Sequence, residues 1–181
     1  MDIVAHALWA GAAGEWARRR RAEVGRKTIA AMVTFTVLPD LVPLVPALAL
    51  SFTDGAPLQF LYAHITAVPT SEPRMPPWAD ALAHHLHCIF HSVIIAAVVT
   101  LAAWWKMRGL RLPLLGWWLH IALDVPTHSD DYYAVPLFYP LTYWGFDGVA
   151  WTAPWMLAAN YLALAVAYFA LWFSRQRSVI P

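Results

Sequence analysis

The sequence predicts an all-α fold: a polytopic membrane bundle of about five helices, forming a single membrane-embedded domain over residues 1–181. The chain is 60% hydrophobic and only 13% charged, whereas soluble domains carry about 25% charged residues. The apolar residues fall in runs of about 20, the length with which a helix crosses a hydrocarbon core roughly 30 Å thick. Eleven Trp and seven Tyr favour the bilayer interfaces, where these side chains are enriched.

The first predicted helix, Asp2–Ala17, is short for a span, so we expect it to be tilted or only partly inserted. The basic run Arg18–Arg21 follows it. A signal peptide carries its positive charges in front of its apolar segment. We therefore expect the helix to be retained, with its C-terminal end in the cytoplasm.

The second predicted helix, Thr28–Leu50, is rich in proline. It contains Pro39, Pro43 and Pro46. Proline removes a backbone donor and clashes with the preceding turn. We expect a kink or an unwound segment after Leu38.

The rest of the chain predicts three more helices separated by loops. Residues 51–83 are polar and Pro-rich, which indicates an outer loop with one short surface helix at most. The later helices are predicted at His84–Trp105, at Leu112–Asp124 and at Trp151–Phe173.

Clusters of basic residues follow the first, third and fifth predicted helices. They are Arg18–Arg21 with Arg26 and Lys27, then Lys106, Arg108 and Arg111, and finally Arg175 and Arg177. Excess Lys and Arg stays on the cytoplasmic side. Five crossings with the N-terminus outside and the C-terminus in the cytoplasm satisfy all three clusters. We expect loops 51–83 and 127–148 to lie outside.

Charge and cysteine content restrict the partners. The net charge of +1 gives no basis for binding nucleic acid. The apolar runs make the lipid bilayer the predicted partner. Cys88 is the single cysteine, which excludes an intramolecular disulfide. The oligomeric state stays open.

Ionisable residues occur inside four of the predicted spans. They are His6, Asp40, His91, His120 and Asp124. An Asp at a helix centre costs about 2.5–3.5 kcal/mol, so such residues face the bundle interior and are functional candidates. At about 1.5 Å per residue from the nearest basic anchor, four of them lie roughly 18–22 Å from the cytoplasmic end, and His120 lies deeper. They therefore share one level towards the outer face.

The spacing of these residues suits a metal site. His84, His87 and His91 share one helix face, as do His120 and Asp124. Imidazole and carboxylate are usual zinc ligands. One or two divalent ions, with zinc favoured, could activate water or clamp a phosphoester.

We assign the metal ligands to His6, Asp40, His91, His120 and Asp124. His87 and His128 are the candidate catalytic residues, as general acid or base, because an unperturbed His titrates near pH 6.5.

Other interpretations stay open. The same residues could line a metal-ion or proton transporter or channel, hold haem between paired His, or form a structural polar network. A path to the cytoplasmic side would need deeper polar residues, and the candidates are Thr34, Thr36, Thr100 and Asn160. His84 and His85 suit solvated positions, and Asp147 suits a turn.

Several short motifs occur in a recognisable order. They are Met1–His6 in an apolar helix, Leu38-Pro39-Asp40, Phe90-His91-Ser92, His120-x-x-x-Asp124-x-x-Thr127 followed by His128, and the Pro136–Leu141 segment. In this order the chain resembles, over residues 1–142, the LexA-regulated membrane-bound metal-dependent hydrolases, the YdjM-like inner-membrane proteins. It departs from them at Val42 and Pro43, where a second acidic residue is frequent, and at Leu86, where a His is frequent.

The resemblance implies a metal-dependent hydrolase of the cytoplasmic (inner) membrane. Together with the predicted depth of the cluster, it leads us to expect action on a phosphoester or similar bond of a lipid or membrane-surface substrate.

Overall fold

The computed structural model describes residues 1–21, 23–53, 57–67, 72–131 and 134–177. Parts of the predicted outer loop, including Pro69, lie outside the described residues. The side chain of Arg177, from the third basic cluster, also lies outside them.

The described residues form α-helices and no strand, so the predicted all-α fold is confirmed. The helices are α1 (Ile3–Arg20), α2 (Arg26–Leu41), α3 (Val45–Ser51), α4 (Pro57–Thr66), α5 (Pro77–Phe90), α6 (Val93–Lys106), α7 (Leu115–Asp124) and α8 (Pro154–Arg177). Short 3-10 turns occur at Val42–Leu44, Arg108–Leu110 and Val125–Thr127.

The prolines of the second predicted helix do not unwind it after Leu38. The chain stays α-helical to Leu41, tightens into a 3-10 turn and continues as α3. Pro43 and Pro46 fall in the first turns of their elements, where a backbone N–H is not needed. The helical segment Arg26–Ser51 therefore remains long and apolar enough to cross a membrane.

The predicted helix His84–Trp105 is instead two helices that meet at a bend. The axes of α5 and α6 differ by 62°. Ser92 ends the continuity because its hydroxyl accepts hydrogen bonds from the backbone N–H groups of Ile94 and Ile95, as an N-cap. The start of α5 at Pro77 and the presence of α4 also make the predicted outer loop more helical than expected.

Fewer helices than predicted are long enough to span a bilayer. Among the described residues, Arg26–Ser51 and Pro154–Gln176 qualify, with a third span if the bent pair α5–α6 counts as one. A helix of ten residues such as α7 is about 15 Å long, half of the hydrocarbon core. The prediction of five full crossings is therefore wrong, although the helices remain consistent with a membrane protein.

The order of contacts shows which helices run parallel. The Trp9 indole donates to Asn160 and the Tyr168 hydroxyl to the Leu8 carbonyl, both at 2.9 Å. Arg19 also bonds Ser174 near the other ends of α1 and α8. These two helices are thus parallel, and their basic ends lie together.

The helices α2 and α7 are also parallel. Gly116 of α7 contacts Met32 of α2, and further along, His120 lies beside Asp40. A core that includes Ala96, Trp117 and Ile121 holds α6 against α7.

Candidate metal centre

One buried cluster collects the five residues assigned as ligands. His6, His91, His120 and Asp124 have side chains 0–1% exposed, and Asp40 is 20% exposed. Each of α1, α2 and α7 contributes at least one residue, and the α5–α6 bend contributes His91. The five residues, which were predicted to lie at a common level, are therefore close together in the structure.

Four of these residues form a compact set of ligand atoms. One such atom from each of Asp40, His91, His120 and Asp124 lies within 4.8 Å of all the others. The Nε2 atoms of His91 and His120 are 3.0 Å apart. Asp124 Oδ2 is 3.0 Å from His120 Nε2 and 3.4 Å from His91 Nε2, and Asp40 Oδ1 is 3.7 and 3.6 Å from the same two atoms.

His6 approaches the other side of the two carboxylates. Its Nε2 lies 2.8 Å from Asp124 Oδ1 and 3.8 Å from Asp40 Oδ2. Its ring also stacks on that of His120, with centroids 4.0 Å apart. Each carboxylate thus presents one oxygen to the His91–His120 pair and the other to His6.

The fold orients His91 for ligation. The residue occupies the C-cap of α5, directly before the bend. Its Nδ1 lies 2.8 Å from the His87 carbonyl, which can only accept, so Nδ1 carries the proton. In the neutral ring Nε2 then has a lone pair towards the cluster, as in histidines that bind metals.

Ser92 supports this arrangement from the next position. Its hydroxyl donates to the Tyr139 carbonyl at 2.6 Å while it caps α6. The His-Ser pair therefore combines a ligand with the residue that fixes the bend behind it.

The cluster fits a divalent cation. Asp40 Oδ2 and Asp124 Oδ2 are buried and accept no hydrogen bond. Buried carboxylates are costly unless they are paired or coordinate a metal. Metal–ligand bonds of about 2.1 Å in a tetrahedron separate ligand atoms by about 3.4 Å. Five of the six atom pairs in this group are 3.0–3.7 Å apart, and all four atoms lie within 4.8 Å of one another. The buried His/Asp group could therefore hold a metal ion.

The other candidate residues lie around this group. The ring of His87 packs on that of His91, with centroids 3.9 Å apart. The Nδ1 of His128 lies 3.1 Å from the Asp124 carbonyl and 3.7 Å from Asp124 Oδ1. Both therefore contact residues of the cluster, and their catalytic roles stay predictions.

Two outer histidines and one acidic residue lie apart from the cluster. His84 and His85 are exposed and contact Tyr143 and Tyr139. Asp147 accepts a hydrogen bond from the Asp130 backbone.

One group at the cluster was missed in the sequence. The α-amino nitrogen of Met1 lies 2.5 Å from Asp124 Oδ1. A backbone nitrogen has no signature in residue types, so no pattern could indicate it.

The deeper polar residues have local partners. Thr34 and Thr36 donate to the carbonyls four residues earlier in α2. Thr100 accepts from the Trp118 indole and Asn160 from that of Trp9. They join helices or turns rather than extending the cluster inwards.

No family model, curated protein or solved structure matches this chain.

Proposed function

We propose that this protein is a membrane-embedded, metal-dependent hydrolase of the YdjM-like kind. It cleaves a phosphoester or similar bond of a lipid or membrane-surface substrate, in the cytoplasmic membrane. The observation that carries the proposal is the convergence of ligand atoms from Asp40, His91, His120 and Asp124 within 4.8 Å of one another. Nitrogen and carboxylate donors in this number suit zinc.

The residues of the cluster have separate tasks in this proposal. A bound ion would supply Lewis acidity and would make water at the site easier to deprotonate, with a pKa of about 7. His91 and His120 provide neutral donors, and Asp40 and Asp124 balance the charge of the ion. His6 bonds Asp124 from the far side and orients it, at 2.8 Å.

A base for the reaction lies beside Asp124. The carbonyl of Asp124 accepts from Nδ1 of His128, which fixes the tautomer with a basic Nε2. That form takes a proton from an attacking water and later donates it to the leaving oxygen. His87, packed on His91, is the second candidate for this role.

Exposure supports an approach of the substrate past Asp40. This carboxylate is the one member of the five ligand candidates with appreciable exposure. The other four are enclosed by the helices, which excludes bulk water from the group and strengthens its electrostatic interactions.

The local bonds of the deeper polar residues favour a closed site over a transport path. Thr36 and Asn160 bond within or between helices and do not continue the cluster towards the basic ends. A haem held by two axial histidines leaves Asp40 and Asp124 without a role, and an absorption spectrum of the purified protein tests that alternative.

The hydrolase proposal is tested in vesicles of phosphatidylethanolamine and phosphatidylglycerol with added zinc, followed by phosphorus NMR. We expect wild type to convert phosphodiester to phosphomonoester. His120→Ala should lower this rate by more than about a hundredfold, because changes of residues that only hydrogen-bond a metal ligand already cost about 10–100-fold. His84→Ala, seven residues before His91 on the same helix and exposed, should retain it.

Two results would contradict the proposal. One is a zinc-loaded wild type that leaves the lipid signals unchanged across phospholipids of different head groups. The other is accumulation of zinc inside the vesicles, which identifies a transporter.

A further inference from the structure

An apolar groove adjoins the cluster. Its volume is about 310 Å³, and its walls come from α2, α5, α6 and α7. No lining side chain is charged, and the one polar lining group, the Trp117 indole N–H, already donates to the Phe90 carbonyl at 2.5 Å. The groove therefore offers only apolar surface to a ligand.

One end of the groove reaches the cluster through the chain itself. Pro39 and Phe90 line the groove, and they directly precede Asp40 and His91. Asp40 is also the cluster residue with an exposed side-chain fraction of 20%. A ligand in the groove thus has one end next to the backbone that carries Asp40 and His91.

The groove extends from the cluster towards the basic ends of the helices. Phe35 lies five residues before Asp40 in α2, about 7.5 Å along the axis. Val99 lies eight residues after His91 and α6 runs the opposite way, so it too is displaced towards the basic end, by about 12 Å. If the basic ends are cytoplasmic, this direction leads from the outer side to the bilayer midplane.

We infer that this groove holds one acyl chain of a membrane lipid and so places the lipid's head-group linkage at the cluster. The inference rests on the proposed function, whose substrate class it specifies. The helices α2 and α5–α6 are candidate spans, so hydrocarbon chains surround this level. A lipid of the outer leaflet also runs from its head outside to its tail at the midplane, which is the direction of the groove.

The volume suits a single chain. A water occupies about 30 Å³ in the liquid, and a methylene group occupies a similar volume. The groove thus has room for a segment of one chain and too little for two. Because the acyl chain moves from one apolar medium to another, its transfer into the groove contributes little free energy. The groove therefore acts by packing against the acyl chain and orienting it.

The experiment is photo-cross-linking of the purified protein in vesicles that contain a phospholipid with a diazirine in one acyl chain. Cross-linked peptides are identified by mass spectrometry. With the diazirine at mid-chain, we expect labels around Phe35 and Val99. With the diazirine close to the head, the labels should move towards Pro39 and Phe90.

Two tryptophan variants of α6 give a matched comparison. Val99→Trp fills the groove, whereas Val98→Trp changes a neighbouring valine that is exposed but does not line it. We expect Val99→Trp to lower groove labelling several-fold and Val98→Trp to leave it at the wild-type level. The depth dependence in wild type tests the inference even if Val99→Trp does not fold.

Labels spread evenly over the exposed face of α8, labels independent of diazirine depth, or cross-links between two copies of the chain would overturn the inference. Groove labelling in a protein that cleaves no lipid would support the acyl-chain site and refute the hydrolase. Hydrolysis without groove labelling would do the reverse.

Discussion

Asp124 is the residue on which the cluster depends most. One of its oxygens is 2.8 Å from His6 and the other is 3.0 Å from His120, and the side chain is fully buried. Asp40 lies in the same group, so two carboxylates oppose each other unless a cation lies between them. The Met1 ammonium, 2.5 Å from Asp124 Oδ1, already pairs this charge in the metal-free protein, and a bound metal ion would balance the second carboxylate.

The change Asp124→Asn tests both interactions because it preserves shape and removes charge. We expect zinc to raise the Tm of wild type, since a ligand that binds only the native state stabilises it. The zinc-induced rise should vanish in Asp124→Asn, and the metal-free Tm should fall as well, because the Met1 ammonium loses its buried ionic partner. Thermal unfolding in detergent, with the exposed Asp147→Asn as control, measures both, and an unchanged zinc response would be inconsistent with ligation by Asp124.

Ser92 is predicted to stabilise the bend between α5 and α6 without contacting a metal ion. Ser92→Ala removes the cap of α6 and the donor to Tyr139, so the free energy of unfolding should fall by about 1–3 kcal/mol. Thr34→Ala, which loses only a bond within its own exposed turn, should cost less than about 0.5 kcal/mol. Chemical denaturation compares the two, and equal losses would show that Ser92 does not hold the bend.

The residues grouped from the sequence lie together in the structure, whereas one of their neighbours was missed. His6, Asp40, His91, His120 and Asp124 could be grouped because an ionisable residue in an apolar run is costly and its depth follows from helix rise. The contact of the Met1 nitrogen with Asp124 follows from three-dimensional packing alone.

The pairing of α2 with α7 fixes the distance between ligands on different helices. A methyl group at Gly116 would lie 2.1 Å from the Met32 carbonyl oxygen and 2.6 Å from Thr36 Oγ1. The Met32 carbonyl oxygen belongs to the backbone, so it cannot avoid the methyl group by a change of side-chain rotamer. Any side chain at Gly116 must therefore separate the helices and move His120 and Asp124 away from Asp40.

We accordingly expect Gly116→Ala to lose metal affinity although it alters no ligand. Overpacking of this kind costs typically 1–3 kcal/mol. Gly109→Ala is the control, since nothing lies within 4 Å of a methyl group there. Titration with zinc followed by calorimetry distinguishes the variants, and wild-type affinity in Gly116→Ala would show that the α2–α7 spacing does not set the site.

Element boundaries were harder to predict than element types. The apolar run from His84 to Trp105 contains no proline or glycine, so hydropathy indicated one helix. The break coincides with the Ser92 hydroxyl, which caps α6 and also donates a hydrogen bond to the carbonyl of Tyr139, far along the chain. Conversely, Pro43 and Pro46 looked disruptive but lie in first turns that tolerate proline.

For the whole molecule, the parallel arrangement of α1 with α8 and of α2 with α7 agrees with basic ends on one side. Spans were overcounted because hydropathy does not distinguish a full crossing from a ten-residue helix packed within a bundle, as α7 shows. The short helix α7 ends at Asp124, so His120 and Asp124 lie in its last turns. A helix long enough to cross the bilayer would have continued beyond the cluster.

The topology yields a labelling prediction. In a Cys88→Ala background, Arg108→Cys should react with a membrane-impermeant maleimide only in inverted membrane vesicles. Asp130→Cys should react only in right-side-out vesicles. Reaction of both from the same side would contradict the assignment of the basic clusters to the cytoplasm.

Metal analysis of the purified protein tests whether the buried His/Asp cluster binds a divalent metal. Wild type and His84→Ala, dialysed against zinc and then against buffer, should retain at least one equivalent of metal by mass spectrometry. His91→Ala with Asp124→Ala should retain none while still folded by circular dichroism. A folded wild type without bound divalent metal, or a double variant that binds as much as wild type, would contradict the account.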